Sequence, residues 1–270
     1  MKKGIFSILL LSFIGVFIIS GCSAEEDTFK VGLEAGYAPF NWTQLDDSNG
    51  AVPIKGSKEF ANGYDVEIAK KIAEGLGKEI VIVKTEWDGL LPSVNSGVVD
   101  AIIAGMSPTD ERKKSIDFSD NYYKSDLVMI VKKGSEYADA ESLSDFEGAK
   151  VTAQQSTFHY SVIDQIDGVR KETAMTDFPS MRVALQSGII DAYVSERPEG
   201  VSAQAANDNY LMVELEDGFE VSEDDVAVAV GLKKDSELTE EINEVLNSIS
   251  EEERQEIMDR AIKNQPTSEE

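Results

Sequence analysis

The sequence is short of the residues that carry most metal and nucleophilic chemistry, with one cysteine and one histidine in 270 residues. One cysteine excludes an internal disulfide framework, and one cysteine with one histidine cannot assemble a zinc site of the usual His/Cys kind. No metal and no cofactor is expected. Positive charge is also scarce: 25 lysines and arginines stand against 51 aspartates and glutamates, for a formal net charge of −26. A surface that tracks phosphates needs clustered cations, so nucleic acid is excluded as a partner. What is present, 41% hydrophobic and 8% aromatic residues, suffices for one large or two modest domains with real cores and excludes a disordered chain. Any chemistry must come from carboxylates, hydroxyls, arginine, lysine and aromatic rings.

The long apolar run lies at the start. Lys2 and Lys3 precede a stretch from Ile5 to Ile19 that is apolar except for small residues, the layout of a secretory signal peptide. It is shorter than the about 20 apolar residues that a membrane-spanning helix needs. The sequence ISGC, Ile19 to Cys22, resembles the lipobox of bacterial lipoproteins, in which the chain is cut before a cysteine that is then diacylated. The alternative is an ordinary signal peptide with an incidental cysteine near its end. The lipobox reading puts the only cysteine at the place where that processing needs it. It implies a signal peptide over residues 1–21, a tether over 22–27, and a mature protein held on the outer face of the cell membrane through Cys22, since two or three acyl chains anchor stably.

In the mature chain no internal repeat is visible, and short β-rich runs alternate with helical patterns. FKVGLEA reads as a strand. Val66, Ile68, Ala69, Ile72, Ala73 and Leu76 recur at helical spacing, closed by Gly75 and Gly77. IVIVKT and DAIIAGM follow as strands, with a short helix around Leu90 to Val94 between them. A second series starts at KVTAQQ, continues through MRVALQSG as a helix, and resumes with the strand DAYVS. Leu238, Ile242, Val245, Leu246 and Ile249 mark an amphipathic helix, and Ser250 with Glu253 makes a capping box for another through Ile262. The tail QPTSEE reads as frayed. This alternation predicts an α/β protein of two lobes, each a mostly parallel sheet flanked by helices, with a ligand cleft between them at the carboxyl ends of the strands.

The segment WDGLLPSVNSGVVDAIIAGMSPTDERKKSIDFSDNYY is the most informative. Ser107 is placed to cap a helix with Pro108 at its first position and Asp110 and Glu111 in its first turn. Arg112 then lies one turn in, the wrong sign for a helix start. Backbone N–H groups, a serine hydroxyl and a guanidinium at one strand end suit a carboxylate. A salt bridge from Arg112 to Asp110, Glu111 or Asp117 fits the spacing equally well.

This segment resembles the extracellular solute-binding proteins, family 3, of polar amino acid ABC transporters, which share the type II periplasmic-binding-protein fold. The landmarks are YAPF at Tyr37 to Phe40, GYDVEIA at Gly63 to Ala69, WDGLLPSVNSGVVDAI at Trp87 to Ile102, AGMSPTDERKKSIDFS at Ala104 to Ser119, QQST at Gln154 to Thr157, DAYVSERP at Asp191 to Pro198, and VAVAVGLKKD ending at Asp235. The resemblance implies that Arg112 grips the carboxylate of a free L-amino acid, helped by Gly105 and Ser107 and, from the other lobe, by Ser156 and Thr157. It implies that Glu196, where most relatives carry Asp, takes the α-ammonium, and that Tyr37 and Trp87 sandwich the side chain. Glu34 matches an acid that basic-amino-acid and glutamine binders aim at the distal end of the ligand. Lysine, arginine or ornithine therefore lead, with glutamine open, and glutamate and aspartate are disfavoured. A solvated acid at a strand end is the plainer reading of Glu34.

The resemblance further implies lobe 1 over residues 28–126 and 226–270, lobe 2 over 127–225, and clamshell closure about crossings near Asp126 and Asp225. The loaded, monomeric protein would deliver its ligand to an ABC transporter permease and, through it, an ATPase. The segment from Phe40 to Gly63 is longer than the family's hairpin and reads as a surface loop in which Trp42 either reaches a ligand or packs. Two other readings are a cyclohexadienyl dehydratase-like enzyme on the same scaffold, using Glu196 or Glu34 as its acid, and an amino acid sensor. No general acid or base beyond the amino acid grip stands out for the first, and no signalling segment follows the last helix for the second.

Overall fold

The computed structural model describes residues 28–266. The signal peptide, Cys22 and the tether lie outside the described residues. Strand β1 (Thr28–Leu33) opens the chain and buries Phe29, Val31 and Leu33. The following stretch is not a loop. It forms a four-stranded antiparallel sheet of β2 (Gly36–Tyr37), β3 (Asn41–Gln44), β4 (Val52–Pro53) and β5 (Phe60–Asn62), in the order β2-β3-β5-β4. Its strands pair because alternate residues find an apolar floor: Trp42, Val52 and Ala61 are buried in the lobe's core. Trp42 packs there and donates to Gln44 Oε1 at 3.2 Å.

Helix α1 (Tyr64–Gly75) buries the predicted stripe of Val66, Ile68, Ala69, Ile72 and Ala73. It starts at Gly63, whose φ of 127° and whose contact with Phe40, 2.3 Å from where a Cβ would stand to the carbonyl oxygen, admit no side chain. Then follow β6 (Glu79–Lys84), α2 (Trp87–Ser96), β7 (Ala101–Ile102) and β8 (Asp117–Lys124). The chain now crosses to a second sheet: β9 (Leu127–Lys132), β10 (Lys150–Thr152), α3 (Phe158–Val162), β11 (Arg170–Lys171), α4 (Phe178–Ser187), β12 (Ala192–Glu196), α5 (Arg197–Ala206) and β13 (Tyr210–Val213). It returns with β14 (Ala227–Leu232), α6 (Leu238–Ser248) and α7 (Glu251–Asn264). The two passages lie side by side, with Ser125 N–H donating to Val226 O at 3.0 Å.

The sheets run β6-β1-β7-β14-β8 and β11-β10-β12-β9-β13. Only the first two pairings of each are parallel; the two involving β14 and the two involving β9 are antiparallel. The expectation of mostly parallel sheets is thus corrected. Strands next to the crossings enter from the other lobe and need no helical return, so nothing constrains them to run parallel. One apolar cluster fills the first lobe and continues through Tyr37 and Phe178 to Tyr193; a second surrounds Phe146, Val151 and Val194. Tyr193 and Val194 belong to different clusters because successive strand residues face opposite sides of the sheet.

Ser250 caps α7 as expected, accepting from Glu253 N–H at 3.1 Å. The tail is less frayed than expected at its start: Gln265 is buried and bonds Ser202 of α5 through side chain and backbone. The helix expected to begin after Ser107 is absent. Residues Arg112–Lys114 form a single 3-10 turn, and it is Thr109, not Ser107, whose hydroxyl accepts the Arg112 N–H at 3.3 Å. The segment has no room for more, because β8 begins at Asp117.

Candidate functional site

The carboxyl ends of β1, β7, β10 and β12 converge on a cleft between the two sheets. Beyond β1 the backbone turns sharply at Ala35, which holds a φ of 53°. That conformation is costly for alanine, and side chains of the small sheet secure it: Asn41 Oδ1 accepts the Ala35 N–H and Thr43 Oγ1 donates to its carbonyl, each at 2.8 Å. The turn sends Glu34 and Tyr37 into the cleft. Tyr37 lies flat on Phe178 of the other lobe, with centroids 4.3 Å apart, and on Phe40 at 4.9 Å. Its hydroxyl donates to Glu196 Oε2 at 2.8 Å. Gly105 has a φ of 63°, and any Cβ would come within 2.6 Å of the Tyr37 ring, so only glycine lets the ring lie there.

Behind Gly105 lies a buried polar network that the sequence does not announce. The Gly105 N–H donates to Tyr122 Oη, which donates to Asp65 Oδ1 at 2.7 Å, and Asn41 Nδ2 donates to Asp65 Oδ2 at 2.8 Å. Asp65 is fully buried, and burial pushes its carboxyl up to about 7.

Arg112 is 9% exposed and lies with its guanidinium carbon 5.0 Å from the Trp87 ring centroid. Its Nη1 donates to Ser107 O at 3.0 Å and its Nη2 to Ser156 O, across the cleft, at 3.1 Å. Among the described residues it forms no ion pair. Asp117, one candidate partner, is held instead by Lys234 and the Asp235 N–H. Burial lowers the guanidinium to about 10, which leaves it cationic at neutral pH. Of the two readings that the spacing left equally open, the salt bridge is not formed among the described residues.

Tyr37, Trp87, Gly105, Ser107, Arg112 and Thr157 line one narrow cavity of about 10 Å³, together with Gln154, Phe158, His159 and Phe178. Ser156, at a φ of 56°, lines the wider outer cleft with Asp88, Asp110, Glu111 and Asp225. The resemblance implies that Ser156 and Thr157 help Arg112 grip a carboxylate from the second lobe. Ser156 offers its carbonyl, and Thr157 Oγ1 donates to Gln154 O at 2.7 Å. The backbone turns there to start α3, which engages the hydroxyl locally.

The two acids are not among the cavity's lining residues; each connects to it through a residue that is. Glu34 accepts from Gln154 Nε2 with both oxygens, at 3.1 and 3.2 Å. It is half-buried, and desolvation pushes its carboxyl up to about 7. Glu196 is 1% exposed and bonded to Tyr37.

Gln154, Phe158, His159 and Phe178 were not singled out from the sequence. For Phe178 a signal existed. Thr176-Asp177-Phe178 aligns with Thr85-Glu86-Trp87 at the same interval that aligns Ser187-Gly188-Ile189-Ile190-Asp191-Ala192 with Ser96-Gly97-Val98-Val99-Asp100-Ala101. The structure makes these equivalent. Trp87 and Phe178 are the first residues of α2 and α4, and both helices end on a glycine at φ 77°.

A model of the bacterial extracellular solute-binding proteins, family 3, matches residues 29–264. The chain is 33% identical over 208 residues to the L-cystine-binding protein TcyJ of Escherichia coli, covering 77% of this chain and 73% of that one. It is 30% identical over 218 residues to a Campylobacter jejuni protein named a probable histidine-binding protein, covering 77% and 78%. Among solved structures it is similar to an amino acid ABC transporter substrate-binding protein, AbpA of Streptococcus pneumoniae, bound to L-arginine, with a TM-score of 0.77, 31% identity, and coverage of 88% of this chain and 96% of that one. Two sheet-rich lobes, a cleft lined from both, and a family match over nearly all the described residues lead to one conclusion: this chain belongs to the bacterial extracellular solute-binding proteins, family 3.

Proposed function

We propose that this protein captures a cationic L-amino acid, arginine, lysine or ornithine, between its lobes and delivers it to the permease of an ABC transporter. The single observation that carries the reading is Arg112, a buried guanidinium in the cleft with only carbonyl partners and an aromatic ring beneath it. It is a seat for a carboxylate, because a charge-assisted bond to a carboxylate is stronger than one to a carbonyl. Glu196 supplies the opposite charge for the ammonium, and Glu34 a counter-charge for the distal cation. Trp87, Tyr37 and Phe178 supply the aromatic walls. Gly105 and Ser107 complete the carboxylate pocket, and Ser156 and Thr157 complete it from the second lobe.

Glutamine is the second reading, favoured by one contact: Glu34 already accepts an amide N–H, that of Gln154. Lobe 1 comprises residues 28–126 and 226–270 and lobe 2 residues 127–225. Contacts from Arg112, Trp87, Tyr37 and Glu34 to the second lobe complete the site only on closure, so the ligand draws the lobes together. The protein acts as a monomeric binder without turnover. It is exported, cleaved after residue 21, and tethered outside the cell through a diacylated Cys22.

A thermal-shift panel of the amino acids with ornithine and citrulline tests this reading. A ligand at 1,000 times its Kd stabilises the folded state by about 4 kcal/mol, so arginine, lysine or ornithine should raise Tm by several degrees while glutamate and aspartate leave it unchanged. A response to glutamate or aspartate alone would overturn the reading of Glu34. Conversion of prephenate or arogenate would overturn the absence of turnover.

A further inference from the structure

His159, the chain's only histidine, is the second residue of α3. Its ring lines the same cavity as Arg112, Trp87 and Phe178 and is 5% exposed. Neither ring nitrogen has a hydrogen-bond partner among the described residues, although buried polar side chains nearly always do. Nε2 stands 3.5 Å from Glu196 Oε1. The other oxygen, Oε2, accepts from Tyr37, so Oε1 is the oxygen turned toward the imidazole.

From this geometry we infer that His159 is a ligand-binding residue, which with Glu196 Oε1 forms a two-acceptor seat for the α-ammonium. The inference deepens the proposed function and rests on it. A primary ammonium has three N–H donors in a fan. A carboxylate oxygen neutralises its charge, and the lone pair of a neutral imidazole nitrogen takes a second donor. In the tautomer that carries its proton on Nδ1, Nε2 and Glu196 Oε1 stand as two acceptors side by side, and a donor-rich cation placed against both satisfies them. The groups facing the imidazole fit this role. The end of β12 brings Glu196, and β2 brings Tyr37, already committed to Glu196. The turn at Arg112 brings a guanidinium to the same cavity, and Phe158 packs on the ring at 4.3 Å. The arrangement also gives a reason for glutamate at position 196: the longer side chain reaches both Tyr37 and the imidazole.

Calorimetry with two probes tests it. L-Arginine carries carboxylate, ammonium and guanidinium; 5-guanidinopentanoate lacks only the ammonium. The wild-type protein should prefer arginine strongly. In His159→Phe the affinity for arginine should fall about tenfold or more, the loss of a hydrogen bond to a charged group, while that for 5-guanidinopentanoate changes little. His159→Gln, whose amide oxygen restores an acceptor, should recover most of the loss. Equal losses for both probes in His159→Phe would assign the residue to packing and overturn the inference. So would unchanged or tighter arginine binding, which would mean that the imidazole competes with the ammonium for Glu196. A wild-type protein that binds neither probe nor any other amino acid contradicts the proposed function itself, and the role of His159 falls with it.

Discussion

The two lobes use one construction and give it different work. In each, a strand, a helix opening on an aromatic residue, a left-handed glycine and an aspartate recur in the same order. Asp100 accepts the Lys30 N–H at 2.8 Å and Asp191 the Lys150 N–H at 2.9 Å. Asp100 N–H and Asp191 N–H return the bonds to Lys30 O and Lys150 O, both at 2.8 Å. Carried outward, the correspondence sets Glu34 at the end of β1 opposite Gln154 just past β10, and those two side chains bond each other across the cleft. It sets Trp87 opposite Phe178 and Gly105 opposite Glu196. The scaffold is shared and the charges are not. The first lobe brings the buried cation Arg112, and the second brings the buried carboxylate Glu196 beside His159. Under the proposed function, a zwitterion oriented along the cleft would satisfy both lobes at once, and closure would depend on the ligand.

This contrast can be broken at several depths. Arg112→Ala should be the most damaging change, because it leaves a ligand carboxylate buried and unpaired; arginine affinity by calorimetry should fall about a thousandfold or more, in the range of breaking a buried charge pair. Phe178→Ala removes the ring on which Tyr37 stacks across the cleft, and should weaken arginine binding by about a hundredfold while Tm of the free protein falls by several degrees. Glu34→Gln should cost about tenfold at pH 8. Because burial raises Glu34 to about 7, its charge is present above that pH and lost as pH falls through it. Arginine affinity should therefore drop between pH 8 and pH 6 in the wild type, and this part of the drop should vanish in Glu34→Gln. The mildest pair is Asp100→Ala and Asp191→Ala. Each strands one backbone N–H and should cost about 1–3 kcal/mol by urea denaturation, in near-equal amounts if the lobes are equivalent.

Much of the scaffold was legible because its signals are local. The stripe of α1, the strands with buried faces and the cap at Ser250 depend on near neighbours, and they stand where periodicity puts them. The small sheet after β1 was missed because its strands have two to four residues, too short for alternation to register against a polar background. The Thr109 contact with the Arg112 N–H was missed for a related reason: Ser107, Thr109 and the acids that follow all suit a helix start, and the approach of β8 leaves room for one turn only. At the site, Arg112, Trp87 and Tyr37 were visible through motifs, and all three line the cavity. Gln154, His159 and the Asp65 network come together only when distant segments fold onto one another, and no single segment announces them. Phe178 lies between, since its equivalence to Trp87 is written in the sequence and becomes readable once the glycine and aspartate of the two lobes are superposed.

The central claim, that the lobes close on a zwitterion held by opposite charges from opposite sides, is tested most directly by a crystal structure of the complex with L-arginine. The account predicts the ligand carboxylate on the Arg112 guanidinium at about 2.7–2.9 Å, the ammonium against Glu196 and His159, and the ligand guanidinium directed to Glu34. A ligand bound with its carboxylate away from Arg112, or outside the cavity walled by Trp87 and Phe178, would contradict it.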